Sequence, residues 1–120
     1  MEKDNVKKQL QAELGTRRVA FVGIDRDEQK KVFVVSEIIV YYAPGRVRGQ
    51  EFSVANLGEF GKRPDADSAA GAVILASRSA GVEAVEAKDR PKLEADRRKL
   101  ARDILKAESG RLAAKADDPD

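Results

Sequence analysis

Residues 32–43, VFVVSEIIVYYA, constrain the fold more than any other stretch of the chain. Branched and ring side chains dominate them. Such residues pack well on a pleated surface and lose rotamer freedom in a helix, so the run predicts a strand. At roughly 3.3 Å per residue it spans about 40 Å, which is long for a strand. Alternation places Val32, Val34, Ile38, Val40 and Tyr42 on one face and Phe33, Val35, Ile39 and Tyr41 on the other. Both faces are apolar, and each needs a cover of helices or of another molecule. Glu37 interrupts the second face. A carboxylate buried there needs a cation from a neighbouring element, or a role at an interface.

The flanking segments supply candidate neighbours. Asp4 or Asn5 can cap a first helix with Val6, Leu10 and Leu14 on one stripe and Gly15 at its end. Residues 18–24, RVAFVGI, predict a strand joined to the long one by the charged turn DRDEQKK. After the loop APGRVRG, residues 50–57, QEFSVANL, alternate with Phe52 and Val54 inward and predict a third antiparallel strand, half buried and at an edge. Residues 58–67 read as a loop in which Asp65, Asp67 or Ser68 can cap the next helix. Residues 68–80, SAAGAVILASRSA, are apolar nearly all round; their alanines favour a buried helix over the competing strand, and Gly81 ends it.

A final helix is predicted from Asp89 to Ala116, with Pro91 in its first turn. Its packing arc holds Leu93, Leu100, Ala101, Ile104, Leu105 and Leu112, and Lys92, Arg98, Lys99, Arg102 and Lys106 gather on another face. The reading is therefore an α+β domain in residues 1–82, a three-stranded antiparallel sheet in α-β-β-β-α order. A basic helical extension in residues 83–120 packs on it and ends in a frayed acidic tail. The helix at 68–80 covers one face of the long strand. The face with Phe33, Val35, Glu37, Ile39 and Tyr41 is left to the first or last helix or to a partner, and these five residues are the candidate protein interface.

The chain contains neither cysteine nor histidine. Disulfides, thiolate metal sites, thiol nucleophiles and the commonest general base are thereby removed. No Walker lysine motif, GxGxxG or GxSxG occurs. The acidic pairs Asp25 with Asp27 and Asp65 with Asp67 read as turn and capping chemistry more readily than as a cation site. No enzyme, cofactor, metal or small-molecule substrate is expected. No apolar run approaches the ~20 residues of a membrane span, and the amino end lacks a signal-peptide core, which predicts a soluble protein of the cytoplasm or of a virion.

Charge is uneven along the chain. Residues 1–87 hold thirteen basic and thirteen acidic side chains, whereas residues 88–115 hold ten basic against five acidic. The candidate phosphate-contacting groups are Arg46 and Arg48, Lys62 and Arg63, and the ridge Arg98, Lys99, Arg102 and Lys106. Asp65, Asp67, Asp96 and Asp103 lie close to them in sequence and dilute each group.

In its order of helix, three strands and alanine-rich helix, residues 5–80 resemble the double-stranded-RNA-binding domain. Gly61, Lys62 and Arg63 followed by Ala69, Ala70 and Ala72 are similar to the basic opening of that family's last helix. Asp65 and Asp67 stand where the family has lysines, and DRDEQKK replaces its glycine-proline-histidine hairpin. The resemblance implies that Lys62 and Arg63 face phosphates, that Arg26, Lys30 and Lys31 reach a minor groove, and that Gln9 and Gln11 line the first helix. The functional expectation is a non-enzymatic binding or assembly module. Its partner is a protein or a second copy of itself, with RNA or DNA as a second ligand, as in an accessory protein of a phage or virus. The alternative is a dedicated nucleic-acid-binding domain using the basic loops and the last helix.

Overall fold

A computed structural model describes the backbone of residues 2–116 and the side chains of residues 5–110. The elements follow in the order α1 (Glu2–Glu13), β1 (Arg17–Asp27), β2 (Val32–Tyr42), β3 (Gln50–Phe60), α2 (Arg63–Ser79), β4 (Ala84–Glu86), a 3-10 turn (Ala87–Asp89) and α3 (Arg90–Ala116). The fold is α+β, with strand order β3-β2-β1-β4. Strands β1, β2 and β3 form an antiparallel meander, and β4 runs parallel to β1.

The expectation of three antiparallel strands is thereby corrected to a mixed sheet of four. Ala84–Glu86 is too short to show any periodicity. It becomes a strand because α2 carries the chain back over the sheet and delivers Ala84 beside Ala20, whose N–H donates to the Glu83 carbonyl at 2.9 Å. Parallel pairing requires such a crossover.

Each face of the sheet has one helix. Beneath α2, Ala66, Ala70 and Ile74 meet Ala20, Val22 and Val35, with Phe33, Ile39 and Phe60 around them. The alanines let the helix approach closely. On the opposite face Val19, Phe21, Val40 and Tyr42 pack with Leu93 of α3. The first helix runs along α3, and its Val6 and Leu10 are half-buried. The molecule is elongated, 72 × 27 × 20 Å.

Two expectations shift for physical reasons. The helix α2 starts at Arg63 rather than Ser68, because Pro64 fits its first turn, where no N–H is needed. It buries a single stripe, and Leu75 on its outer side is 65% exposed. Strand β3 lies at the edge, but Phe52 and Val54 are exposed rather than inward, at 54% and 67%. A helix about 10 Å across covers roughly two strands spaced ~4.8 Å apart, so β1 and β2 use the covers available.

Candidate interaction surfaces

The basic residues fall into two groups at opposite ends of β2. At the Phe33 end, Arg26 and Arg63 place their guanidinium carbons 4.6 and 5.8 Å from the Phe33 ring centroid. Carboxylates occupy much of this charge: Arg63 Nε donates to Asp67 Oδ1 at 3.2 Å and Lys30 Nζ to Glu59 Oε1 at 3.2 Å. Lys62, exposed, occupies the position before the first turn of α2. Arg46 and Arg48 lie at the Tyr42 end, in the loop between β2 and β3. An 11-residue strand, about 35 Å, separates these two groups.

The loop carrying Arg46 and Arg48 is fastened to α3 and to the residue that follows α1. Gly45 N–H donates to the Leu14 carbonyl at 2.7 Å. Arg97 Nη2 donates to the Arg46 carbonyl at 2.8 Å, and Gly49 N–H donates to Glu94 Oε1 at 3.2 Å. Counting by fours from Glu94 gives Arg98, then Arg102, then Lys106, a row of exposed cations leading away from the loop. Lys99, also exposed, lies further round the helix. Arg46, Arg48 and the α3 row therefore share one end of the molecule, apart from Lys62 and Arg63.

Inside this end is a polar network that sequence reasoning missed. Tyr42, fully buried, donates its hydroxyl to Glu94 Oε1 at 3.1 Å. Arg90 bridges Glu94, at 3.3 Å through Nε, and Glu51, at 2.7 Å through Nη1. Arg97, 7% exposed, stacks 4.9 Å from the Tyr42 centroid, and its Nε has no partner among the described residues. Burial, reinforced by the hydrogen bond to Glu94, pushes the Tyr42 phenol up to about 12. For Glu94, burial acts upward but is outweighed by the hydrogen bonds from Gly49, Tyr42 and Arg90, which hold it below the usual carboxylate value. Desolvation and the nearby Arg17 lower the pKa of Arg97. Arg17 itself forms a two-pronged ion pair with Glu83, whose carboxyl is held low by the hydrogen bond.

The available sequence signal for this network was spacing. Arg90, Glu94 and Arg97 recur at intervals of four and three, on the stripe that continues to Ala101 and Ile104. Leu100 and Leu105, expected in that arc, are 38% and 46% exposed. Leu112 lies outside the residues whose side chains are described.

The five candidate interface residues of β2 lie on the face that α2 crosses. Val35 is buried, and Phe33 and Ile39 border the α2 cluster. Tyr41 lines a shallow cleft with Arg18, Gln50 and Phe52, and the Arg18 guanidinium lies 5.7 Å from the Phe52 ring. Glu37 is half-buried opposite Ala55, with no ion-pair partner among the described residues.

Strand β3 is the most open surface. It pairs with β2 on one side only, and apart from Gly58 and Phe60 all its residues are exposed. Phe52, Val54 and Leu57 present apolar side chains, Leu57 at 41% exposure. The pairing slips at two points, between Ile39 and Val40 and between Val35 and Ser36, which leaves Phe52 and Leu57 as bulged residues.

Two further clefts carry charged side chains. One, about 470 Å³, lies where Leu14, Arg17, Leu93, Arg97 and Leu100 meet. The other, about 580 Å³, borders the edge of β1 beyond the end of β4 and gathers Asp25, Arg63, Asp67, Glu86 and Lys88. Its carboxylates are mostly neutralised, since Arg63 pairs with Asp67 and Lys88 with Glu86 at 2.9 Å. Among the described residues no three acidic side chains converge as a metal-binding group. No helix among them is long and apolar enough to cross a membrane. No family model matches the chain, and no curated protein or solved structure matches it either.

Proposed function

We propose that the chain is a non-enzymatic binding or assembly module that takes an extended segment of a protein partner onto the free edge of β3. The observation carrying this reading is an 11-residue strand, bonded on one side only and exposed from Gln50 to Leu57. Its outer N–H and C=O groups are directional and ready to bond, and an added strand would satisfy them while covering Phe52, Val54 and Leu57. A protein of this kind suits an accessory role within a cell or a virion.

Selection from a random-peptide library on the immobilised full chain tests the proposal. Enriched peptides are expected to be extended and apolar at alternate positions, and Val54→Lys is expected to weaken them by about tenfold or more. Peptides that bind this variant as well as the parent would place the site elsewhere.

The exposed row Arg98, Arg102 and Lys106, next to the loop with Arg46 and Arg48, favours a second reading in which RNA or DNA phosphates are held at the Tyr42 end. Titration of duplex RNA and DNA at two salt concentrations separates it from the first reading. Binding is expected at low salt, with affinity falling by about tenfold or more when Arg98 and Arg102 are both changed to Glu. Unchanged affinity in the double variant would move the contact to Arg46, Arg48, Lys62 and Arg63. The lack of any binding at low salt would remove the reading, because the electrostatic contribution is largest there.

A further inference from the structure

We infer that the strand received by β3 is β3 of a second copy of this chain, paired antiparallel about a two-fold axis near Val54. The inference rests on the edge-binding reading above and names its occupant. Edge strands are normally protected by charge, and β3 carries charge only near its ends, at Glu51 and Glu59. Both are already engaged within the chain. Arg90 Nη1 holds Glu51 at 2.7 Å and Lys30 Nζ holds Glu59 at 3.2 Å. Between them, residues 52–58, FSVANLG, carry no charge. Charge on this edge is confined to its two ends and bulges to Phe52 and Leu57, and the stretch 53–56 between them is open.

The charge pattern also discriminates between registers. Two antiparallel copies centred on Val54 place Val54 against Val54 and Glu51 against Leu57, so no carboxylate is directly opposite another; Glu51 is diagonal to Glu59 of the other copy, and each already has its own cation. Centred on Ala55, the same strands place Glu51 directly against Glu59, and like charges across a pair are destabilising. In the Val54 register Phe52 of each copy stands opposite Asn56 of the other and diagonal to its Val54, within reach of an aromatic side chain. The apolar bulge residues at both ends of the regular stretch 53–56 are then covered together. The contact is isologous and closed, and it joins two four-stranded sheets into one of eight strands.

The absence of cysteine gives this arrangement a direct test, since a Val54→Cys variant carries one thiol. Residues directly opposite in an antiparallel pair have Cα atoms about 4.5–5.5 Å apart, which is disulfide range. Under mild oxidation Val54→Cys is expected to form a covalent dimer at least about tenfold faster than Leu75→Cys, an equally exposed position on α2. Sedimentation of the parent chain from about 5 to 500 μM is expected to shift from a 13.1 kDa particle towards twice that mass. Val54→Lys should stay monomeric throughout that range with an unchanged circular dichroism spectrum. A parent chain monomeric at the highest concentration would overturn the inference, as would equal cross-linking rates or a dimer indifferent to Val54→Lys. A monomer that still binds library peptides in a manner sensitive to Val54→Lys would overturn self-pairing and leave the edge-binding reading standing.

Discussion

Replacing Gly49 with alanine is expected to destabilise the protein by about 3 kcal/mol or more. A Cβ built on Gly49 overlaps Val40 Cγ1 and lies 2.8 Å from Cε1 and Cζ of the Tyr42 ring. Val40 and Tyr42 are both fully buried, so neither can swing away. The backbone must move instead, which pulls Gly49 N–H from Glu94 and disturbs the Arg97 contact with the Arg46 carbonyl. A fall in melting temperature of roughly 10 °C follows for a domain of this size. Gly61→Ala is the control, because no atom lies within 4 Å of its added methyl. It should change stability by less than about 0.5 kcal/mol in the same urea titration. Equal stability of the two variants would show that the loop is not held against the sheet as described.

The second large effect is expected at Glu94. Glu94→Ala removes the acceptor of the buried Tyr42 hydroxyl and of Gly49 N–H, and leaves Arg90 with Glu51 alone. Buried donors left without a partner cost the most, so a loss of about 3 kcal/mol is expected. The pH dependence has two limbs of opposite sign. Glu94 is held below its ordinary 4.5, so its contribution is complete above that pH and is lost as the pH falls through the lowered value in the folded protein. Tyr42 is raised from 10.0 to about 12, so its contribution is complete below pH 10 and is lost as the pH rises through about 12. Denaturation midpoints from pH 3 to 6 and from pH 9 to 12 check both. Glu94→Ala should shrink both limbs, while Glu83, also held low by Arg17, keeps part of the acid limb in place.

These two effects concern residues with very different visibility in the sequence. The strand at 32–42 could be read because a dense β-branched run is a local property, and its predicted limits differ from β2 by one residue. The first and third strands were read shorter than they are. Their charged ends, Arg17 and Asp25–Asp27 in one and Glu59 in the other, show no apolar alternation, yet β2 pairs with the first from Val32 to Tyr42 and with the third from Phe33 to Tyr41. Glu94 and Arg97 belong to neither the packing arc nor the basic ridge that periodicity assigns to the last helix. Only the approach of Tyr42 and the loop at 46–49 puts them inside, and that approach joins residues about fifty positions apart. Gly49 resembled any loop glycine until Val40 and Tyr42 were placed beneath it.

The amino-acid sequence by itself determined the long strand, the helices, the lack of thiol and imidazole chemistry and the basic bias of residues 88–115. Each follows from composition or short-range periodicity. Tertiary structure decided that the sheet has a fourth, parallel strand, that α2 covers the Phe33 and Val35 face, and that the basic groups separate to opposite ends of β2. It also decided that the exposed apolar surface of the sheet lies on β3 rather than on β2. The physical reason is geometric: with one helix on each face, about two strands' width is covered, and the strand left at the margin keeps its backbone and its apolar side chains open to a partner.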